Sequence, residues 1–466
     1  MDLKKRTSSI FFMTLAVSCI LTAYIYNQRI KSYKYNVTQD YNYNFDKNKC
    51  EIFFPDLIDG HINLPETEKK WDTGFLEVNV KASWSGKFFN PYIKLSSENL
   101  SVKQYFEVGA SGLRYINISH FDEFGSPAPQ IRLDRYHVSL ADKNVRLILF
   151  ANPEINKSKI LVIAPHPDDA EIAAFGLYSD KNSYIVTVTA GDAGGKQYDE
   201  VYENHAEHYL KKGELRVWNS ITIPMLGGVS PHKAINLGYF DGTLKFMHKD
   251  KSTPVRAKFS GVSDMGHYRE KNVSDLIPSV KVPAIWNSLV EDFRHLLEVI
   301  DPDIIVTPYP AIDKHNDHKL STLALFEAIV KNNSKKGSLY LYTNHYPLSA
   351  NYPAGKTGSL ISLPPFFDES PVFFQSIYSY NLPVSKQKDK LFALDAMNDL
   401  RMDTEWRFGF SLFKRAILQV LNNTLNRDRS YFRRSVRANE LFFIMKVKDI
   451  YDSEIFEKLK GEIKIL

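Results

Sequence analysis

The 466-residue sequence predicts an α/β protein. Its expected architecture is a Rossmann-like, doubly wound, mostly parallel sheet, preceded by an N-terminal β-sandwich and a transmembrane anchor. Three observations predict it. Continuous apolar, β-branched runs such as "ILVIAP" (160–165), "YIVTVTAG" (184–191) and "DIIVTPYP" (303–310) read as parallel strands buried on both faces. Helical patterns alternate with them, as a doubly wound sheet requires. Upstream of residue 153 the pattern is instead short period-2 alternation broken by Gly, Pro, Asn and Ser, which reads as a sandwich.

In chain order, residues 1–27 come first. Lys4, Lys5 and Arg6 precede the apolar stretch "IFFMTLAVSCILTAYIY" at 10–26. Seventeen such residues are at the lower limit for crossing a bilayer. The run continues past its small residues, unlike a cleaved signal peptide. It therefore predicts an uncleaved single-pass anchor with the bulk of the chain extracytoplasmic or periplasmic. Residues 28–44, polar and rich in Tyr and Asn, read as a juxtamembrane linker. Residues 45–153 hold the alternating stretches, among them "FLEVNVKASW", "YIKLSS", "IRLDRYHVSL" and "VRLILFA". Residues 154–448 form the α/β unit. Its helical patterns include "DAEIAAFGLYS", "HAEHYLKKGELRVWNS" and "DHKLSTLALFEAIVKN", and "SLYLYTN" (338–344) is a further strand. Residues 449–466 read as a terminal helix with a charged face.

Composition narrows the function. A net charge of +5 with scattered Lys and Arg gives no case for nucleic acid. Cys19 and Cys50 are too few for a disulfide framework or a cysteine-type zinc site. The chemistry gathers instead in "PHPDD" (165–169), where His166, Asp168 and Asp169 follow the end of a buried strand. Open α/β sheets bind ligands beyond the carboxyl ends of their strands. A helix N-cap explains one Asp there, not a His and two Asp. His nitrogen and Asp oxygen are ordinary zinc ligands, and a catalytic site takes three protein ligands. His166 and Asp169 offer two. "DKHNDHKL" places His315 and His318 after the other clear strand as candidates for the third.

These segments resemble the PIG-L/LmbE-like deacetylases, zinc enzymes that remove acetyl from N-acetylglucosamine-type sugars. "APHPDDAEIAAFG" resembles the family's (A/P)HPDD(E/A) signature and "KHNDHKLS" its HxDH motif. "TVTAGDAGG" (187–195) and "LGYFDGTL" (237–244) resemble its glycine-containing loop and LGY-x-DG segment, with weaker echoes in "SKQKDKLFALDAM" and "SVRANELF". The resemblance spans roughly 158–447. It implies a zinc ion held by His166, Asp169 and His318. It also implies Asp168 as general base and a protonated His315 stabilising the tetrahedral oxyanion, with Asp313 and Asp317 as candidates to orient His315.

Asp241 resembles a residue that hydrogen-bonds a sugar hydroxyl, though "FDGT" is also ordinary turn chemistry. Arg216 matches a helix position that reads Arg-x-x-Glu in the family. Asn219 stands in place of that Glu, which puts substrate contacts from this helix in doubt. Asp192 is either a loop cap or an active-site group. His205 and His208 read as surface or packing residues. Trp71, Trp84, Phe88, Phe89 and Tyr92 are mostly core rings, with sugar stacking the alternative. The N-x-[ST] triplets are explained by the abundance of Asn.

The expected function is zinc-dependent N-deacetylation of an amino sugar, in an envelope or extracellular glycan, with polysaccharide-assembly machinery as a possible partner. A zinc amidase of small conjugates and an inactive glycan-binding or assembly protein are the alternatives.

Overall fold

The computed structural model describes residues 13–18 and 31–461, apart from 68–69, 99, 122–129, 141–144, 196–197, 199–200, 278, 350, 369–371 and 401–433. Alternation builds the first unit. Its strands are β1 (Glu51–Phe53), β2 (Leu57–Ile58), β3 (His61–Asn63), β4 (Thr73–Ala82), β5 (Tyr92–Ser96), β6 (Ser101–Tyr105), β7 (Ser111–Asn117), β8 (Gln130–Tyr136), β9 (Val138–Leu140) and β10 (Arg146–Phe150). They form two antiparallel sheets, β1-β10-β4-β7 with β9 on β4, and β2-β3-β8-β5-β6. Every second side chain points inward. Ile93, Leu95, Val102, Ile131 and Leu133 thereby join Leu76, Val78 and Leu147 in one core.

The second unit is a seven-stranded mixed sheet, β13-β12-β11-β14-β15-β17-β16. Its strands are β11 (Ile160–Ala164), β12 (Ser183–Thr189), β13 (Ala234–Tyr239), β14 (Ile304–Pro308), β15 (Ser338–Tyr342), β16 (Ser376–Asn381) and β17 (Asn439–Lys446). β11 to β15 run parallel to one another. β17 runs antiparallel to both β15 and β16. Helices α1 (Asp169–Tyr178), α2 (His205–Thr222), α3 (Leu244–Lys249), α4 (Gly266–Arg269), α5 (Trp286–Ile300), α6 (Asn316–Lys331), α7 (Val384–Ala396) and α8 (Ser453–Lys460) cover it. From β11 the chain first builds toward β13, then returns to lay β14 and β15 on the other side. The strand order thus reverses between β11 and β14, the place where an open sheet leaves a crevice.

This architecture corrects the expected one. The chain is mixed α/β with several antiparallel sheets, not a mostly parallel fold. β16 and β17 were not read as strands, because "SIYSYN" and "NELFFIMK" lack the unbroken β-branched run of a central parallel strand. The anchor is also corrected. Among the described residues no helix is long and apolar enough to cross a membrane. The single-pass anchor, the membrane contact and the extracytoplasmic placement it implied therefore have no support. A 17-residue run had no length to spare, and most of it lies outside the described residues.

Residues 33–45 run as a strap between the two units. Tyr33 bridges Ser349, Lys34 N donates to Leu348 O, Ser111 N to Val37 O, and Asn42 N to Phe366 O. Tyr35 and Tyr41 both donate to the buried Glu107, which also pairs with Arg114. Tyr43 and Phe45 then enter an apolar cluster shared by both units, with Phe75, Tyr115 and Phe150 on one side and Phe374 and Phe443 on the other.

Candidate metal centre and active site

Each residue of the site follows the carboxyl end of a parallel strand. β11 leads into His166, Asp168 and Asp169, β12 into Asp192, and β13 into Asp241. β14 leads into Asp313, His315, Asp317 and His318, and β15 into Asn344 and His345. Asp168 is the N-cap of α1 but makes no side-chain cap bond, and its backbone is at φ 144°, ψ −24°. A non-glycine residue in that region is strained, and strain of this kind gathers at functional sites.

Asp169 Oδ2 is the hub. It lies 3.1 Å from His166 Nδ1 and 3.1 Å from His318 Nε2. It also accepts the His166 backbone N–H, while Asp169 Oδ1 accepts from Asn344 Nδ2. Two atoms each ~2.0–2.1 Å from one tetrahedral zinc stand about 3.3 Å apart, so this spacing suits a shared ion. His318 Nε2 and His315 Nδ1 are buried without a hydrogen-bond partner. For His318 Nε2, proximity to Asp169 is therefore not a well-directed hydrogen bond. It is the arrangement expected when both atoms aim at a common third point.

The opposite ring atoms are braced. His318 Nδ1 meets Asp313 Oδ2 at 3.0 Å. His166 Nε2 faces Asp241 Oδ1 at 3.3 Å and Asp317 Oδ2 at 3.4 Å. Ligand-type atoms of three overlapping sets lie within 4.8 Å of one another: His166, His315 and His318; Asp169, His318 and His345; His166, Asp241 and Asp317.

The electrostatics call for positive charge. Burial works against the cationic form of His318, but Asp169 and Asp313 overcome it and raise the imidazole to about 10. His166 is likewise raised against burial, by Asp241, Asp169 and Asp317. Asp169 is held well below its usual range by His318 and His166, although burial alone would raise it. A divalent cation would satisfy the same carboxylates in place of two protons. The donor set, the spacing and the orphaned nitrogen all fit a metal ion.

Asp168 differs from its neighbour. Burial pushes its carboxyl up to about 7, with Arg216 acting the other way. His315 is pushed down to about 4 by burial and by the charges of His166 and His318. Burial and these neighbouring charges thus work against the protonated form expected of this imidazole. Asp313 and Asp317, expected near the His315 ring, are engaged elsewhere. Asp313 takes the His315 backbone N–H and the His318 ring. Asp317 takes Gly242 N and faces His166.

The three expected substrate contacts are held by the protein itself. Arg216 is buried under the PHPDD loop. It donates to Pro167 O and Gly191 O and pairs with Asp168 and Asp399. Asn219 accepts from Asn398 N and Nδ2. Asp192 Oδ1 accepts the Asp241 N–H, so Asp192 braces the turn that carries Asp241. Asp241 faces His166 and is partly exposed. His208 Nε2 accepts from Tyr198 N in the packed start of α2, away from the cluster.

Asn344 and His345 were missed. The signal was available: "SLYLYTNH" ends a parallel strand, and the rule that located PHPDD applies equally to the residues after Tyr342. Glu171, buried and accepting from Tyr178 OH, was also missed. It is pushed up to about 8 by burial.

A family model described as "PIG-L: GlcNAc-PI de-N-acetylase" matches residues 161–329. No curated protein sequence matches the chain. Among solved structures, GalB, the 4-carboxy-2-hydroxymuconate hydratase from Pseudomonas putida KT2440, shares 12% identity, with 62% of this chain and 96% of that chain covered and a TM-score of 0.33. A family two carbohydrate esterase from Cellvibrio japonicus shares 11% identity, with 76% and 96% covered and a TM-score of 0.16. At these scores neither carries an argument about this chain.

Proposed function

Given that residues 161–329 form a PIG-L domain, of a family whose deacetylases act on N-acetylated sugars, we propose that this protein is a zinc-dependent N-deacetylase of an N-acetylated amino sugar. The observation that carries the proposal is the hub at Asp169 Oδ2, 3.1 Å from a nitrogen of each of His166 and His318. It supports these three residues as the ligands, with Asp313, Asp241 and Asp317 orienting the two rings from behind. A zinc ion there would supply a Lewis acid that polarises the acetamide carbonyl and acidifies water.

The protein's own groups do the rest. Asp168 is the neighbour not spent on the hub. Burial places its proton affinity near neutral pH, where a general base works best. It takes the proton of the attacking water and returns it to the departing amine, so that acetate and a free amino sugar leave. Arg216 fixes the Asp168 carboxylate and the Pro167 carbonyl together. His315 donates a hydrogen bond to the amide oxygen as charge develops there. The strained Asp168 backbone leaves this carboxylate off the helix N-terminus, paired with Arg216.

The test is acetate release from a panel of N-acetylated sugars and of small-molecule N-acyl conjugates, with metal content measured on the same preparation. Acetate from the sugars by a zinc-loaded protein is the expected result. Turnover confined to the conjugates, or a protein that neither holds zinc nor is activated by it, would overturn the proposal.

A further inference from the structure

The outer face of the second sandwich sheet carries a row of aromatic rings. Strand register sets Tyr105 of β6 and Tyr136 of β8 each directly opposite Tyr92 of β5. Tyr136 stacks on Tyr92 with centroids 4.5 Å apart, and Tyr105 packs against Tyr92 at a tilt, 5.0 Å away. Their strand neighbours Ile93 and Leu133 fill the core, so all three tyrosines stand on the opposite, outer side. Beyond Tyr136, the His137 ring stacks on Phe89 at 5.3 Å. Trp84 lies in the same turn as Phe89. Trp84 is 77% exposed, Phe89 50% and Tyr136 40%.

This turn is held rigidly. Ser83 N donates to His137 O, Gly109 N donates to Gly86 O, and Ser85 Oγ bonds His137 Nδ1 at 2.8 Å. A Cβ on Gly86 would come within 2.2 Å of His137 O, so the backbone approach requires glycine. Large rings displayed on a fixed backbone form a contact surface whose ordering is complete before a ligand arrives.

The other end of the row leads toward the metal centre. Gly355, at φ +95°, lies against the Tyr105 ring. Tyr105, Tyr352 and Pro353 line a small cavity of about 50 Å³. Tyr352 and Pro353 also line a second small cavity, of about 50 Å³, together with Asn344. Asn344 is bonded to Asp169. Tyr105 is thus linked through Tyr352 and Pro353 to Asn344, which holds Asp169. The next rows of the face carry Lys94, Lys103 and Arg132 against Asp134. That balance accepts a neutral sugar and disfavours an ammonium.

Resting on the deacetylase reading, we propose that this face is an accessory binding surface for a neutral polymer of N-acetylated amino sugars. The apolar faces of its sugars stack on Trp84, Phe89 and Tyr136 while units farther along the chain reach the metal centre. Removal of acetyl groups exposes cationic amines to Lys94, Lys103 and Arg132 and weakens the hold.

The experiment uses the full chain with Asp168→Asn, so that ligands are not consumed. N-acetylglucosamine oligomers of one to six units, and the fully deacetylated hexamer, are titrated by calorimetry. The hexamer is expected to bind about tenfold or more tighter than the monomer. Adding Trp84→Ala or Phe89→Ala should remove that gain and leave monomer binding unchanged, and the deacetylated hexamer should lose the gain as well. Affinity that does not grow with length, or growth that survives both substitutions, overturns the proposal. A dimer in sedimentation that Trp84→Ala dissolves would assign the face to a second copy and overturn it too. Acetate release by the unsubstituted chain is read separately: its absence sinks the deacetylase reading, while the titrations judge the surface.

Discussion

Asp168 and Asp169 are adjacent but electrostatically opposite, with Asp169 the more deeply buried. Asp169 is held anionic by two histidines, whereas burial leaves Asp168 near 7. Their roles should separate experimentally. Asp168→Asn is expected to keep the metal and lose on the order of 10²–10⁴ in kcat. His318→Ala should lose the metal itself, read by elemental analysis. Equal metal loss in both variants would mean that base and ligand have been exchanged. Asp313→Asn tests the ring brace. It should weaken zinc retention by about 10–100-fold in competition with a chelator, because the His318 Nδ1–H then faces a neutral acceptor. At this scale the motif's residue types were legible in the sequence, since His and Asp at a strand end have few structural uses. Their partners were not. Asp313 was expected beside His315 and holds His318, because a five-residue spacing across a helix start does not fix which ring a carboxylate meets.

At the scale of elements, α1 is the piece that carries the site, and it is not a regular helix. Ala174 breaks it at φ −142°, ψ 18°. The backbone groups affected find side chains instead. Glu440 of β17 accepts from Gly176 N and Leu177 N, each at 2.9 Å. Lys390 of α7 donates to Ile172 O and pairs with Glu440 at 2.7 Å. Both side chains are 1% exposed. Removing one partner leaves a buried charge and unpaired N–H groups. Glu440→Ala is therefore expected to cost about 3–5 kcal/mol in urea unfolding. A loss under about 1 kcal/mol would show the pair to be incidental. This device also explains the weak "KDKLF" and "ANELF" echoes. They lie outside residues 161–329, yet their Lys and Glu mend the helix that presents Asp169. Periodicity located α1 but not β17 or α7, and its kink belongs to the packing between them.

At the scale of the whole molecule, the sandwich sits directly on the α/β sheet. Asn117 Nδ2 donates to Ser379 Oγ, Ser379 N to Thr73 Oγ1, and Asn381 Nδ2 to Ser119 O. His120 stands in this junction, and burial pushes its imidazole down to about 4, against a bond with the Ala438 backbone. The folded state therefore excludes a proton that the unfolded chain, titrating near 6.5, accepts. The stability this group contributes is complete above about 6.5 and is lost as pH falls toward 4. The urea midpoint should drop between pH 7 and pH 5, and His120→Asn should flatten that slope. An unchanged slope would remove His120 as its source.

By itself the sequence pointed to the family and to the candidate metal-site residues. Donor types, their place after buried strands and the family resemblance pointed to a metal hydrolase before any coordinates. Local spacing can do this, because strand ends and ligand-type residues are written in consecutive letters. Tertiary structure decided what depends on contacts between distant segments. It gave Arg216, Asp192 and Asp241 partners within the protein, added Asn344 and His345 beside the cluster, and closed the sheet with two antiparallel strands. It also joined Tyr105, Tyr92 and Tyr136 into one row. Those outcomes follow from strand register and burial between segments up to hundreds of residues apart, a length over which the pattern of letters carries no distance.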